Sequence, residues 1–162
     1  MNIDIAKFDR CRIVVLGDLM IDEYVWGVVD RISPEAPVQI VSVRSEELTL
    51  GGAGNVVNNL VALGAQVAVV GVIGDGEDGK LLRRKFEGLG VDARGIIPEA
   101  GRPTTRKTRI IAAHQQVLRI DRETQREIAR QTFQAMTKAL KEIVPTVDVV
   151  LISDYGKGVI SR

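Results

Sequence analysis

QVAVVGVIGD, residues 66–75, is a nearly unbroken apolar run that ends in glycine and aspartate. Two runs of the same kind are RIVVLGD at residues 12–18 and VDVVLISD at residues 147–154. Continuous Val, Ile and Leu residues without alternation are typical of strands that are buried on both faces of a parallel sheet. The three runs therefore predict a mostly parallel sheet.

Helical patterns lie between these runs. Apolar residues at helical spacing predict helices over about 53–63, 82–89 and 124–144. Thr124 and Glu127 are spaced as a capping box, which places the start of the third helix at Thr124, and Pro145 ends it. A further crossover helix is expected to begin within GVISR, residues 158–162. Alternating strands and helices predict a doubly wound α/β sheet with right-handed crossovers.

Four other segments favour strands but carry polar residues in partial alternation. They are EYVWGVVDRIS (23–33), VQIVSV (38–43), TRKTRIIAA (105–113) and QQVLRIDRE (115–123). Such alternation indicates a second, smaller sheet with one face open to water or to a ligand. Residues 113–114 form the turn between the last two segments. This makes His114 a solvated turn residue in preference to a catalytic base, although histidine suits acid–base chemistry.

Composition limits the classes of function. The 162 residues suffice for one domain, and 22 basic against 21 acidic residues leave a net charge of +1. This balance favours neither a nucleic acid nor a membrane surface as partner. One cysteine excludes an internal disulfide, no apolar run is long enough to span a membrane, and charges interrupt the first ten residues. We expect a cytoplasmic protein that handles small molecules.

The stretch LGGAGNVVNN, residues 50–59, places three glycines directly before a predicted helix. A helix N-terminus exposes backbone N–H groups, and glycines let a polar ligand approach them closely. The alternative is a tight strand-to-helix turn without a ligand. The stretch does not end in the Gly-Lys-Ser/Thr of a phosphate-binding loop, so a nucleotide site is not predicted from it.

Two acids follow the first predicted strand, in GDLMIDEYVWG at residues 17–27. Asp18 and Asp22 lie at the carboxyl end of that strand, where open α/β sheets place their ligands. A carboxylate can accept hydrogen bonds from two neighbouring sugar hydroxyls, and we favour this role for Asp22 over the alternative of a surface acid. Asp18 remains either a second site residue or a turn former.

These blocks together resemble a known family. A strand ending in GD with a second Asp four residues on, GGAGN before a helix, and GVIGDGEDG at residues 71–79 resemble the amino-terminal half of the ribokinase-like sugar kinases, the phosphofructokinase-B superfamily. The resemblance covers essentially the whole chain. RISPEAPVQIV (31–41), PTTRKTRIIAAHQQVLRIDRE (103–123) and SDYGKGV (153–159) resemble more narrowly its heptose 7-phosphate kinases.

The resemblance implies transfer of the γ-phosphate of MgATP to the anomeric hydroxyl of D-glycero-β-D-manno-heptose 7-phosphate, a lipopolysaccharide core precursor. It also implies a homodimer formed through lid segments at about 23–43 and 106–121. The residues expected to bind substrate are Asp18, Asp22, Gly51, Gly52, Asn55, Lys107, Arg109, Arg119, Asp154 and Lys157. GVIGDGEDG is expected to be structural, shaping a turn and capping the next helix.

For the basic residues of this set, the alternative is that they are ordinary solvated charges. Lys107 and Arg109 point to the same face of an alternating strand. Two cations on one face repel unless they are solvated or share an anion. If that face covers the sugar, the shared anion would be the phosphate that the substrate already carries.

The family's catalytic base and magnesium motif are absent from the sequence. The base is the Asp of a Gly-Ala-Gly-Asp motif, whereas GAGN at residues 52–55 ends in Asn55, which cannot accept the proton of a hydroxyl. We therefore expect no catalytic or metal-binding residue in this chain, sites for ATP and Mg²⁺ mostly outside it, and no kinase activity from it alone. We expect it to be the amino-terminal portion of a larger enzyme. A kinase of another sugar or phosphosugar, or a noncatalytic binding or assembly module, are the alternatives.

Overall fold

The computed structural model describes residues 5–160, and the side chains from residue 7 onward, as two four-stranded sheets flanked by helices. The strands are β1 (Arg12–Gly17), β2 (Leu19–Ile32), β3 (Gln39–Gly52), β4 (Gln66–Gly74), β5 (Asp92–Glu99), β6 (Thr105–Ala112), β7 (Gln115–Arg122) and β8 (Val149–Ser153). The helices are α1 (Ala53–Ala62), α2 (Glu77–Gly88) and α3 (Arg130–Ile143), with 3₁₀ turns at Ile5–Arg10 and Val144–Thr146. The helix expected from GVISR falls partly on residues 161–162, which lie outside the described residues.

The first sheet is parallel and has the strand order β5-β4-β1-β8. Alternate residues of β1 pack on opposite sides of it: Ile13 and Val15 contact the cluster that includes α1 and α2, whereas Val14 belongs to the cluster with α3. Helices on both faces make β1 and β4 the buried centre of the domain. The predicted doubly wound arrangement is confirmed.

The second sheet, here called the lid sheet, has the order β3-β2-β6-β7. Strand β2 pairs antiparallel with β3 and parallel with β6, and β6 and β7 form a hairpin. The hairpin turn at Ala113 and His114 has φ angles of 49° and 63°, and His114 is exposed there, as predicted. The segments 23–43 and 106–121 lie largely in these strands. Within residues 5–160, no helix is long and apolar enough to cross a membrane.

The third predicted parallel strand is present, but its burial was predicted wrongly. Strand β8 pairs with β1 on one side only and forms an edge of the parallel sheet. Its apolar side chains are largely open to solvent, with Ile152 61% exposed. The apolar run predicts a strand that is buried on both faces. In the described residues, β8 is instead the last strand of its sheet, and no strand pairs with its free edge.

The predicted start of the third helix is also wrong. Helix α3 begins at Arg130, and the Thr124 hydroxyl accepts only a local hydrogen bond from the N–H of Arg126 at 3.2 Å. The Ala129 N–H at the true start donates to Glu99 Oε2 at 2.8 Å. A carboxylate at the end of β5 thus takes the place of the expected capping box. Desolvation by burial raises the pKa of Glu99, but hydrogen bonds, first that from the Ala129 N–H, outweigh it and lower the pKa below its usual value.

The turn in GVIGDGEDG depends on the absence of side chains. A Cβ on Gly79 would lie 1.9 Å from the carbonyl oxygen of Gly74, so this first turn of α2 can press directly on the end of β4. The Gly74 N–H donates to the buried Thr104 hydroxyl at 2.9 Å. The expected structural role is confirmed for the turn, but not for the helix cap, because α2 has no side-chain cap.

Two glycines of α2 provide a matched test of this packing. Gly79→Ala should destabilise the chain by about 1–3 kcal/mol, the usual cost of overpacking. Gly88→Ala should be neutral or stabilising by up to ~1 kcal/mol, because its Cβ would meet no atom within 4 Å and alanine favours helices. Urea unfolding of the two variants measures the difference. Equal stability of both would show that the end of β4 moves freely to accept a side chain.

Candidate functional site

A cleft of about 460 Å³ opens between the lid sheet and the first two helices. Its walls are Asp22 and Tyr24 of β2, residues 48–50 of β3, Asn55 and Asn58 of α1, and Lys85 and Leu89 near the end of α2. This volume lies in the range of small-molecule sites, roughly 300–1,000 Å³. Acid, amide and ammonium groups line one cavity, which suits a ligand rich in hydroxyl groups.

The Asp22 carboxylate is held in place by a cation on the next strand. Arg109 Nη1 donates to Asp22 Oδ1 at 2.6 Å, and its guanidinium carbon lies 5.3 Å from the centroid of the Tyr24 ring. The hydrogen bond to Asp22 raises the pKa of Arg109. Asp22 Oδ2 has no such partner among the described residues, so one oxygen is oriented while the other can accept hydrogen bonds from a ligand.

The glycines next to this carboxylate are part of strand β3, not a free loop. A Cβ on Gly51 would lie 2.5 Å from Asp22 Oδ2, so glycine is what allows the carboxylate to lie against the backbone. Gly52 has φ 56°, and helix α1 follows at once with the Ala53 N–H bound to the Asp18 carbonyl at 3.0 Å. The glycines therefore form a tight strand-to-helix turn, and Gly51 and Asn55 lie beside Asp22.

Asp18 is separate from the cleft and is 1% exposed. Its Oδ2 accepts hydrogen bonds from the N–H groups of Tyr155 (2.7 Å) and Lys157 (3.2 Å), which follow β8. Its Oδ1 has no hydrogen-bond partner within the described chain. The carboxylate anchors the segment after β8, a role that neither of the two sequence-based alternatives included.

The predicted cations are already engaged by carboxylates. Lys107 Nζ contacts Asp121 at 3.1 Å and Glu123 at 3.2 Å, and Glu123 also accepts from Lys157 Nζ at 2.9 Å. Arg119 Nε donates to Asp121 at 2.9 Å. Lys107 and Arg109 do share a face of β6, as predicted, but each has its own protein carboxylate.

Two more predicted residues lie after the last strand. Asp154 is exposed and accepts a hydrogen bond from the Gly156 N–H at 2.8 Å, which closes a local turn. The carbonyl of Lys157 accepts from the buried Arg102 at 2.6 Å. The structure therefore brings Lys157 to Lys107 through Glu123, but it does not bring Asp154 to the cleft around Asp22.

On the inner face of the lid sheet, Glu23 forms a buried ion pair with Arg106. The guanidinium donates to both Glu23 carboxylate oxygens, and its third nitrogen reaches Asp78 in the first turn of α2 at 2.8 Å. Hydrogen bonds from Arg106, and secondarily from the Thr108 hydroxyl, lower the pKa of Glu23 although its burial opposes this. These contacts fix the lid sheet to the helix that forms the far wall of the cleft.

Of the nine residues that line the cleft, the sequence analysis named Asp22 and Asn55, and the polar residues that it missed include Asn58, Thr49 and Lys85. Asn58 follows Asn55 by three positions, so the helical period could have placed both amides on one face. Thr49 is opposite Asp22 in the β2–β3 register, so its place in the cleft could be predicted only with knowledge of that strand pairing. Lys85 resembles any solvated lysine of an amphipathic helix, and no signal in the sequence distinguishes it.

The described residues do not fit Mg²⁺ or the phosphates of ATP. Within residues 5–160 there is no group of three or more His, Cys, Asp or Glu side chains that could hold a metal ion. The glycine-rich start of α1, which the described residues place beside the cleft, has its first N–H bound to the Asp18 carbonyl. The arrangement can bind and orient a polyhydroxyl ligand, and no chemical step is assigned to these residues.

Comparison with known proteins defines the class. The model of the pfkB family of carbohydrate kinases matches residues 11–159. The chain therefore belongs to the pfkB family of carbohydrate kinases.

Among curated relatives, the bifunctional protein HldE of Desulfatibacillum aliphaticivorans is 55% identical over 161 residues, which are 99% of this chain and 33% of the relative. The chain spans about a third of the length of the curated relatives that it matches. The resemblance to this kinase family that the sequence motifs indicated is thus confirmed, both by the family match and by the similarity to HldE.

Solved structures confirm the ribokinase-like fold. A carbohydrate kinase from Agrobacterium tumefaciens superposes with a TM-score of 0.58 at 22% identity, covering 88% of this chain and 45% of that structure. Arabidopsis thaliana ribokinase, complexed with ribose and ATP, superposes with a TM-score of 0.58 at 18% identity. The match covers 87% of this chain and 53% of that structure. This chain is similar to a part of each fold.

The Asp18 anchor predicts a local change in dynamics. Asp18→Ala should speed hydrogen exchange at the Tyr155 and Lys157 amides by about 10-fold or more, because bonds to a charged acceptor contribute about 1.5–3 kcal/mol. Asp18→Asn, which keeps an acceptor oxygen, should have a smaller effect. Asp30→Ala removes an exposed carboxylate of β2 that lies outside this segment and is the control. Unchanged exchange in Asp18→Ala would mean that other contacts order this segment.

Proposed function

We propose that this chain forms the acceptor-binding part of an ATP-dependent carbohydrate kinase whose substrate is D-glycero-β-D-manno-heptose 7-phosphate and whose product is the 1,7-bisphosphate. The observation that carries the proposal is the Asp22 carboxylate, oriented by Arg109 against Gly51 in a cleft of sugar size. The substrate itself is proposed from the motif resemblance, and family membership supports the reaction class.

The residues of the cleft have a binding role in this proposal. Asp22 accepts hydrogen bonds from two adjacent sugar hydroxyls through its open oxygen, and the amide of Asn55 contacts a third hydroxyl. Arg109 fixes the Asp22 rotamer before the sugar arrives, which lowers the entropic cost of binding. Asn55 takes no proton. The general base is supplied from outside these 162 residues.

ATP and Mg²⁺ belong to the same proposal. ATP use follows from membership of a kinase family, and Mg²⁺ neutralises phosphate charge in phosphoryl transfer. Both would be held by residues outside this chain, since the described residues do not fit them. A kinase that consumes ATP acts where ATP is made, so the proposed compartment is the cytoplasm.

A chimera tests the function. This chain replaces the 161 matching residues of the Desulfatibacillum relative, and ADP release is measured with heptose 7-phosphate. The chimera should be active and the isolated 162-residue chain inactive. Asp22→Ala should lower kcat/KM by at least about 100-fold, for two hydrogen bonds at about 1.5–3 kcal/mol each.

Asp30→Ala is the matched control, because Asp30 is exposed at the far end of the same strand. Sugar-dependent ADP release by the isolated chain would contradict the expected inactivity. A panel of sugars and sugar phosphates separates the proposed substrate from other acceptors. A chimera that binds sugars without releasing ADP would favour the noncatalytic module.

We further propose that two copies of the chain associate through the lid sheet. Apolar side chains are exposed along its strands, including Trp26 of β2, Val43 of β3 and Leu118 of β7, which are 42%, 51% and 52% exposed. Exposed apolar surface and unpaired strand edges favour association. Residues 23–43 and 106–121 would form most of the interface.

Sedimentation velocity at micromolar concentration measures this association. Wild-type chain should sediment as a dimer, and Leu118→Asp should shift it to monomer. Leu63→Asp, an exposed leucine after α1, should leave the dimer intact. A clean wild-type monomer would contradict the lid dimer, and polydisperse species that persist in Leu118→Asp would point instead to aggregation along the free edge of β8.

A further inference from the structure

Lys85 is a cation in the cleft wall that the sequence did not single out. It lies in the last turn of α2, and its ammonium donates a hydrogen bond to the Leu48 carbonyl at 2.6 Å. Among the described residues, no carboxylate lies within the 4 Å of an ion pair with it, in contrast to its helix neighbour Lys80, which pairs with Glu77 at 2.7 Å. An ammonium has three N–H donors, so this contact leaves two of them for a ligand.

The other cations near the cleft are less available. Arg109 is bound to Asp22, and Lys107 is shared between Asp121 and Glu123. Neither Lys107 nor Arg109 lines the 460 Å³ cleft, whereas Lys85 does. For an anion to bind at Lys107 or Arg109, it would have to displace a carboxylate that already neutralises the charge.

Lys85 and Asp22 line the same cleft, so one ligand can contact both side chains. Its partner Leu48 precedes Thr49, the residue paired with Asp22 across the β2–β3 ladder. One step along a strand is about 3.3 Å and one strand spacing about 4.8 Å. The backbone that holds the ammonium is therefore about one strand step and one strand spacing from Asp22, and both side chains line the same cleft, where one sugar phosphate can contact both.

We propose that Lys85 binds the phosphate that the substrate carries before the reaction, with the exposed amide of Asn58 as a second donor. This inference rests on the proposed sugar-phosphate kinase function and adds the residue that selects a phosphorylated acceptor. Asp22 binds the hydroxyl end of the substrate and Lys85 its anionic end. The site then distinguishes a phosphosugar from a free sugar by a charge-assisted hydrogen bond at the cleft wall.

The test uses Lys85→Gln in the chimera, because glutamine keeps a donor for the Leu48 carbonyl and removes only the charge. KM for heptose 7-phosphate should rise about 10- to 100-fold, the range for a lost hydrogen bond to a charged group. KM for unphosphorylated heptose should change less than about threefold. Lys85→Arg should restore most of the affinity, and Lys80→Gln on the same helix should change neither KM.

Several outcomes would overturn the inference. If Lys85→Gln changed KM equally for both sugars, or for neither, the role of Lys85 would be limited to its hydrogen bond with the Leu48 carbonyl of β3. A selective phosphosugar defect in Lys107→Gln or Arg109→Gln, without one in Lys85→Gln, would move the phosphate to the lid face. A chimera that phosphorylates only unphosphorylated sugars would overturn the substrate proposal together with this inference.

A second measurement does not need turnover. Heptose 7-phosphate should protect Lys85 from an amine-reactive reagent in the chain or the chimera, as read by mass spectrometry, and heptose should not. Lys80 provides the internal control for reagent access. Absence of protection at concentrations that saturate the chimera would exclude a phosphate contact.

Discussion

The hydrogen bonds of Asp18 connect the parts of this structure on which the site depends. Its N–H donates to the Ser153 carbonyl at the end of β8, its carbonyl accepts from Ala53 at the start of α1, and its carboxylate holds Tyr155 and Lys157. One residue between β1 and β2 thus joins the parallel sheet, the first helix and the lid sheet. A buried carboxylate is stable only with such donors, because burial of an unpaired charge is costly.

The two faces of the lid sheet use charge differently. On the inner face, Glu23 and Arg106 are buried together and tie the sheet to Asp78 of α2. On the outer face, Asp22 meets Arg109 at the border of an open cleft. The strand alternation that separates Asp22 from Glu23 therefore separates an anchoring carboxylate from one that is available to a ligand.

Ion pairs with nearby carboxylates offset part of the positive charge that Lys107 and Arg119 bring to residues 105–123. Lys107, Arg119 and Lys157 share the carboxylates of Asp121 and Glu123. Hydrogen bonds lower the pKa of both acids, chiefly that from Lys107 for Asp121 and that from Lys157 for Glu123. The carboxylates come from β7 and from the residue after it. Within residues 5–160, Lys85 of α2 lines the cleft with no carboxylate at ion-pair distance.

The amino-acid sequence was enough to predict the parallel strands, the two-sheet architecture, the hairpin turn at His114 and the family. These features follow from local periodicity and from motif spacing. Tertiary structure alone decided that α3 starts at Arg130, because Glu99 of a distant strand satisfies its first N–H. It also decided that Asp18 is an anchor, that the lid cations are neutralised, and that Lys85 reaches the cleft. The physical reason is that these contacts of Lys107, Glu99, Lys85 and Asp18 join residues 14 to 139 positions apart in the chain. The strength of a charge or a hydrogen bond depends on such a partner and not only on the residue that carries it.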